Sequence, residues 1–172
     1  MTKKKWIFNT FVAGKNFKGP NKIWDTDIGI DMSLCADGNI LAYDPDYPYC
    51  DTIDCFIESL KENKHEAVEL NGLHIEHIAF ILPYLKDVKY LSLYKCNSLD
   101  NLSFIEELTE LCGVYIYWNQ KATKLFDARK LPKLTSLSIM ESNKLTDFSG
   151  LEGSNIESLE ILGCNFTGSF VP

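Results

Sequence analysis

The sequence has no apolar run near the roughly 18 residues that a membrane-spanning helix needs, so it predicts no transmembrane segment. Basic residues are also scarce, since 17 Lys and Arg stand against 24 Asp and Glu and the formal net charge is −7. Nucleic acids and anionic membranes attract basic surfaces, so this charge argues against both as partners. A partner with a basic surface would be favoured.

A secretory signal is lacking as well. Lys3, Lys4 and Lys5 stand near the start, but no apolar segment of sufficient length follows them. The six cysteines are scattered through a chain too long and too apolar to need a disulfide framework. We therefore expect reduced thiols in a cytoplasmic protein.

Motifs for catalysis and metal binding are also missing, including a glycine-rich phosphate loop, a nucleophile elbow and a Cys/His signature. His74 and His77 are spaced so that they could share a metal, but nothing in the sequence completes that site. Cys50 and Cys55 are further apart than a zinc knuckle pair. We predict no catalytic residue, cofactor or metal. An enzyme or metal-binding alternative would have to use the loop Asp44–Asp54, which lacks the glycine and terminal glutamate of a calcium loop.

What the sequence does contain is a repeat of two apolar residues separated by one other residue. The five copies are Val68/Leu70, Leu91/Leu93, Val114/Ile116, Leu137/Ile139 and Leu159/Ile161. Their first members stand at 68, 91, 114, 137 and 159, so the interval is 23 residues three times and then 22. Self-similarity at such a period is typical of repeat architectures. Each copy predicts one short strand whose apolar pair faces the core.

The frame L-x-x-L-x-x-L-x-L-x-x-N/C fits around these pairs, for example on Leu85, Val88, Leu91, Leu93 and Cys96. In these residues, from about Glu66 onward, the chain resembles the leucine-rich repeat family. The resemblance implies an α/β fold, namely a leucine-rich repeat solenoid of about five repeats of 22–23 residues. The small residues that close the frame should satisfy loop backbone inside the coil; they are Cys96, Asn119, Ser142 and Cys164.

The first part of the chain does not follow the repeat, so we assign residues 1–63 to an N-terminal capping region and 64–172 to the solenoid. Trp6–Val12 and Ile28–Leu34 are predicted strands. Asp37-Gly38 predicts a type I′ turn that pairs the second strand with Ile40–Tyr43 in a β-hairpin. A helix starting after Asp51 or Thr52 and ending near Asn63 would complete the cap.

Alternation along each strand sends the residues beside the apolar pair to the outward surface, which would be concave in a leucine-rich repeat solenoid. Tyrosines are enriched at binding hot spots. The acidic residues around these tyrosines would suit a basic partner or form a solubilising rim; they are Glu66, Glu69, Glu141, Glu157 and Glu160. The predicted partner-binding residues are Tyr90, Tyr94, Tyr115, Tyr117, Met140, Leu162, Glu69 and Glu160. The alternative is that these tyrosines are simply good strand formers that pack on their cross-strand neighbours.

We therefore predict a non-enzymatic protein–protein interaction module that binds a partner through its concave face. A narrower hypothesis is an intracellular bacterial immunity protein that neutralises a toxin, motivated by the short acidic array, the missing signal and the tyrosine-rich face. Another alternative is a fragment of a larger leucine-rich repeat receptor or secreted effector.

Overall fold

A computed structural model of the protein describes residues 10–13, 27–31, 49–50 and 52–166, and eight strands lie within these ranges. The strands are β1 Thr10–Ala13, β2 Ile28–Asp31, β3 Tyr49–Cys50, β4 Ala67–Asn71, β5 Tyr90–Tyr94, β6 Gly113–Tyr117, β7 Ser136–Met140 and β8 Ser158–Leu162. They form one sheet in the order β1-β8-β7-β6-β5-β4-β2-β3. Every neighbouring pair from β3 to β8 is parallel, and β1 runs antiparallel to β8.

The five strands predicted from the repeat are confirmed as β4 to β8. They pair residue for residue, so that Val68, Leu91, Val114, Leu137 and Leu159 lie side by side across the sheet. The inward apolar residues of all five pairs are at most 3% exposed. Burial of apolar surface contributes about 25 cal/mol per Å², so these two columns are a main source of the sheet's stability.

The segments that return from one strand to the next close the core from the other side. After β4 the chain forms helix α2, Ile75–Ile81, which continues into the 3-10 turn Leu82–Tyr84. The later return segments contain only 3-10 turns, at Ser103–Glu107, Ala128–Lys130 and Ser149–Leu151. Their buried apolar residues include Leu102 and Ile105, Leu125 and Ala128, and Phe148 and Leu151. No helix in the part of the chain that the structure describes is long and apolar enough to cross a membrane.

The predicted leucine-rich repeat solenoid is wrong as a description of this architecture, because the described residues form one α/β sheet that does not curl. Hydrogen bonds between two of the return segments show one place where the return layer is paired as closely as the strands. The Leu125 N–H donates to the Asp147 carbonyl at 2.9 Å, and the Asp147 N–H donates to the Thr123 carbonyl at 3.0 Å. At this point, neighbouring return segments are therefore joined by the same kind of hydrogen bond as neighbouring strands. A sheet curls when its return segments are spaced more widely than its strands. A period of 22–23 residues in the sequence does not show whether the return segments are spaced more widely than the strands.

The N-terminal strands that the structure describes lie at both edges of the sheet. β1 overlaps the predicted strand Trp6–Val12 and pairs with β8, whereas β2 pairs with β4 and β3. Asp27 joins the start of β2 to the start of β4. Its carboxylate accepts hydrogen bonds from the backbone N–H of Glu66 at 2.7 Å and of Ala67 at 2.9 Å. The predicted turn at Asp37-Gly38 and its partner Ile40–Tyr43 lie outside the described residues.

The predicted N-terminal helix is confirmed as α1, Ile53–Glu62. Thr52 is its N-cap, since the Thr52 hydroxyl accepts a hydrogen bond from the Cys55 N–H at 3.2 Å. Phe56 is fully buried, and Ile53, Ile57 and Leu60 pack partly buried against the core. The helix therefore covers the β2–β3 end of the sheet, as an amphipathic helix with one apolar face should.

Candidate protein-binding face

The outward residues of β4 to β8 lie in three rows, as the repeat predicts. At the C-terminal end of the strands, the pairing places Tyr94 beside Tyr117, Tyr117 beside Met140, and Met140 beside Leu162. We call these four residues the aromatic ridge. Each of them is half-buried, so part of its apolar surface faces solvent. Neighbouring strands are about 4.8 Å apart, and the ridge is therefore continuous across four strands.

Stacked rings fix the geometry of the ridge. The Tyr94 and Tyr117 rings stack with their centroids 4.7 Å apart and their planes at 14°. Tyr115, on the same strand as Tyr117, lies with its ring nearly parallel at 6.4 Å. Contacts of this kind contribute about 0.5–1.5 kcal/mol each beyond the area they bury. The stacking agrees with the cross-strand packing alternative, and it also limits the freedom of the rings to change rotamer.

Trp118 extends this face, although it is not among the partner-binding residues predicted from the sequence. It follows β6 directly, is 42% exposed, and meets the Tyr117 ring edge-to-face at 6.4 Å and 75°. Lys95 occupies the equivalent place after β5, and its Nζ lies 5.3 Å from the Tyr94 ring centroid and 5.5 Å from that of Trp118. The signal in the sequence was the run Tyr115–Trp118, in which one tryptophan ends an aromatic strand.

The backbone at Trp118 is in the left-handed region, with φ of 54°. The same conformation recurs after each strand of the repeat, at Gly72, Lys95, Glu141 and Gly163. It continues the hydrogen-bonding ladder by one residue, since the Trp118 N–H donates to the Met140 carbonyl at 2.9 Å. A bulky residue held in this region costs on the order of 1 kcal/mol. Because the conformation recurs after each strand, it belongs to the repeat and does not single out Trp118.

The central row differs from the ridge because it is buried. Glu69 is 4% exposed, Tyr115 is 6% exposed and Glu160 is 1% exposed. Each carboxylate accepts a hydrogen bond from the serine on the adjacent strand, Ser92 Oγ to Glu69 and Ser138 Oγ to Glu160, both at 2.8 Å. The predicted attraction of a basic partner needs accessible carboxylates, and these two are not accessible in the structure.

Burial also changes the acid–base properties of this row. The pKa of the Glu160 carboxyl is raised, because desolvation disfavours its charged form more than the Ser138 hydrogen bond favours it. Desolvation likewise raises the pKa of the Tyr115 phenol, and the neighbouring tyrosines and carboxylates add to the effect. The Tyr115 hydroxyl donates to Met140 Sδ at 3.5 Å, which ties the central row to the aromatic ridge.

Tyr90 is the last of the predicted partner-binding residues. It is half-buried in the first outward row, where its neighbours Ala67 and Gly113 are buried.

The alternative sites involve the histidines and the loop before α1. His74 caps α2, and its backbone N–H donates to His77 Nδ1 at 3.2 Å. No group of three or more His, Cys, Asp or Glu placed to hold a metal is found among the described residues. In the loop Asp44–Asp54, residues 44–48 and 51 lie outside the described part of the chain, and Asp54 lies in the first turn of α1.

A cavity of about 630 Å³ lies away from the ridge, beside the end of α1. Its lining includes Lys61, His65, Glu66, Tyr84, Lys89 and Glu110. Lys89 forms an ion pair with Glu66, and Lys61 Nζ lies 5.1 Å from the Tyr84 ring centroid. Lys61 and Lys89 are therefore engaged in contacts with the cavity's own walls.

Comparison of the chain with protein-family models, with curated proteins and with solved structures finds no match in any of the three. The resemblance to the leucine-rich repeat family thus stays a prediction from the repeated residues. The function has to be argued from the face itself.

Proposed function

We propose that this protein binds another protein through the aromatic ridge and Trp118, without catalysing a reaction. The observation that carries the proposal is that the aromatic ridge, formed by Tyr94, Tyr117, Met140 and Leu162, is partly exposed. Trp118 is half-exposed at its border. A solvated sheet surface is usually covered by charged and small polar side chains. Tyrosine and tryptophan in a central cluster are instead the residues that dominate binding energies at protein interfaces.

The structure changes which of the predicted residues enter this proposal. Tyr94, Tyr117, Met140 and Leu162 remain, and Trp118 and Lys95 are added because they lie at the border of the ridge. Glu69, Glu160 and Tyr115 are left out as direct contacts because they are buried. The Tyr115 hydroxyl joins the buried central row to the ridge through Met140 Sδ, whereas the hydrogen bonds of Glu69 and Glu160 stay within the row.

The net charge of −7 favours a partner with a basic surface, because opposite charge speeds association. Glu141, which follows β7 directly after Met140, is an exposed glutamate beside the ridge. The narrower hypothesis of a toxin-neutralising immunity protein would identify this partner, and a toxin gene directly beside the gene for this chain would support it. It stays a prediction from charge, size and face.

The test places a photo-crosslinking amino acid at Trp118 and, as a matched control, at Phe80. Both positions hold exposed aromatic side chains, but Phe80 is on α2 in the return layer and is 65% exposed. We expect a crosslinked partner from position 118 and none of the same mass from position 80. The captured protein is identified by mass spectrometry and then produced in pure form.

The pure partner allows the ridge to be measured directly. We expect the double variant Tyr94→Ala/Tyr117→Ala to raise the Kd at least roughly thirtyfold, or about 2 kcal/mol, because two anchors are truncated. The variant Phe80→Ala should leave the Kd unchanged. An unchanged Kd for a double variant that keeps its circular dichroism spectrum would disprove the proposed face.

A further inference from the structure

Two cysteines meet at the junction of β3 and α1. Cys50 is the last residue of β3, Cys55 lies in the first turn of α1, and their Sγ atoms are 3.3 Å apart. Neither is in a disulfide. Their spacing in the sequence is too wide for a zinc knuckle, but it suits a strand-to-helix turn that brings the two sulfur atoms into contact.

The surroundings hold the two thiols in this arrangement. The Thr52 hydroxyl fixes the Cys55 backbone N–H at 3.2 Å, and the next residue, Phe56, is fully buried in the core. Cys50 is fixed by strand pairing, since β3 lies beside β2 in the sheet. The two sulfur atoms would have to approach each other by about 1.2 Å to reach the S–S bond length of about 2.05 Å. Side-chain rotation can supply that distance.

We propose that Cys50 and Cys55 form a redox-modification site that a hydroperoxide converts into an intramolecular disulfide. Cys55 is exposed and meets the oxidant, whereas Cys50 is buried beside it and completes the bond. This site is independent of the aromatic ridge, so its test does not depend on the proposed binding function.

The chemistry proceeds in two balanced steps. The Cys55 sulfur, as its thiolate, attacks one oxygen of hydrogen peroxide; an S–O bond forms, the O–O bond breaks, and the leaving hydroxide takes up the thiol proton as water. Cys55 is then a sulfenic acid, oxidised by two electrons while the peroxide is reduced. The Cys50 sulfur attacks the Cys55 sulfur, the S–S bond forms, and the S–O bond breaks. The hydroxide leaves with the Cys50 proton as a second water.

The other cysteines in the described part of the chain lie in less reactive environments. Cys96 and Cys164 are buried, and their thiols donate to backbone carbonyls of Leu70 at 3.2 Å and of Leu162 at 3.3 Å. Burial raises the pKa of the Cys164 thiol to about 11, which keeps it protonated. Cys112 is half-buried, and its thiol lies 3.6 Å from the Glu110 carbonyl. Cys112 is therefore the suitable control thiol.

The test treats the folded full-length protein with hydrogen peroxide, blocks the remaining thiols with an alkylating agent, and digests it with a protease that cleaves before aspartate. Cleavage before Asp51 and Asp54 places Cys50 and Cys55 in separate peptides. We expect the two peptides to be found linked, at a mass about 2 Da below their sum. A reducing agent should separate them.

Variants distinguish this pair from general oxidation. Cys112→Ser should form the linked peptides as the wild type does, and Cys55→Ser should lose them completely. Cys50→Ser should stop at the Cys55 sulfenic acid, which a dimedone-type reagent traps. The proposal is overturned if wild-type Cys50 and Cys55 remain alkylatable when Cys112 has been oxidised. It is also overturned if Cys55 proceeds to the sulfonic acid while Cys50 stays alkylatable.

Discussion

Tyr94 and Tyr117 lie directly opposite each other on β5 and β6, and their rings stack at 4.7 Å. Both side chains remain partly exposed, so the same contact that joins the two strands forms the middle of the outward apolar strip. The strand-packing explanation and the binding explanation of these tyrosines are therefore not exclusive. Packing arranges the rings, and the surface that they leave uncovered is available to a partner.

The first prediction concerns the coupling of this pair. In a double-mutant cycle of Tyr94→Ala and Tyr117→Ala, we expect the free energy of unfolding to show a coupling of about 0.5–1.5 kcal/mol, because each single variant already removes the ring contact. Urea denaturation of the four proteins measures it. If the losses of the two single variants add up to the loss of the double variant within about 0.3 kcal/mol, the stacking is energetically unimportant.

The second prediction concerns Asn119, which is 3% exposed and holds together the turn after β6. Its side-chain oxygen accepts from the N–H groups of Lys121 and Ala122 at 3.0 and 2.9 Å, and its amide donates to the carbonyls of Cys96 and Leu99 at 3.1 and 2.9 Å. We expect Asn119→Ala to lower the free energy of unfolding by about 3 kcal/mol, because several buried backbone groups lose their partner.

Asn165→Ala is the matched control for that prediction. Asn165 is exposed, and its side chain donates to the Asn143 carbonyl at 2.7 Å. We expect the control to cost less than about 1 kcal/mol in the same urea experiment. Equal losses for the two variants would contradict the structural role assigned to Asn119.

The residues that close each repeat show how much of the fold could be predicted from the sequence. Cys96, Asn119, Ser142 and Cys164 were expected to satisfy loop backbone, and all four make hydrogen bonds to backbone groups. Strand positions, register and inward columns were predictable for the same reason. A period of two along a strand and a period of 22–23 along the chain leave little freedom about which residues face each other.

Three features of the structure could not be predicted from the repeat. The sheet does not curl, and the backbone hydrogen bonds that pair Thr123 and Leu125 with Asp147 in the return layer could not be predicted, because any residue carries these backbone groups. The burial of Glu69 and Glu160 was not predictable either, since alternation assigns a residue to a face but does not say how accessible that face is. Trp118 was missed because it stands one residue beyond the strand pattern.

The third prediction concerns pH and the buried carboxyl of Glu160. Its pKa in the folded protein is raised above the ordinary value of 4.5, so the folded protein binds more protons than the unfolded chain as pH rises above that value. Stability attributable to this group therefore falls as pH rises from about 4.5 through the raised pKa. We expect Glu160→Gln, which keeps an oxygen for the Ser138 hydroxyl, to become more stable relative to wild type over this range.

Urea unfolding at a series of pH values from about 4 to 8 tests the prediction. Ser138→Ala provides the comparison, because it removes the hydrogen bond that favours the charged form of Glu160 and should steepen the loss of stability. A constant difference between wild type and Glu160→Gln across the whole range would rule out the assigned effect.

The fourth prediction concerns Gly150, which lies in the return segment before β8. A Cβ at this position would stand 2.3 Å from the Phe126 carbonyl oxygen, which is backbone and cannot rotate away. We expect Gly150→Ala to lower the free energy of unfolding by about 1–3 kcal/mol, as overpacking usually does. Gly153→Ala is the control, since its Cβ would meet nothing within 4 Å and only its φ of +73° is unfavourable. Thermal and urea unfolding should both rank Gly150→Ala as the less stable variant.

The last prediction separates stability from binding at Trp118. Replacement by glycine relieves the strain of the left-handed backbone at φ of 54°, which is on the order of 1 kcal/mol. It also removes the edge-to-face contact with Tyr117, whose energy is of similar size, so the two effects nearly cancel. We expect the free energy of unfolding of Trp118→Gly to stay within about 1 kcal/mol of wild type. The affinity for the partner captured at this position should fall at least roughly tenfold, because an exposed aromatic anchor is lost.

Lys95→Gly serves as the comparison, because Lys95 has φ of 51° and occupies the equivalent place after β5. It gains the same backbone relief and loses only a cation near the rings, so its affinity should fall less than that of Trp118→Gly. A Trp118→Gly protein that is much less stable but binds normally would mean that the tryptophan serves the fold. Unchanged stability with weakened binding would mean that the tryptophan side chain serves the partner.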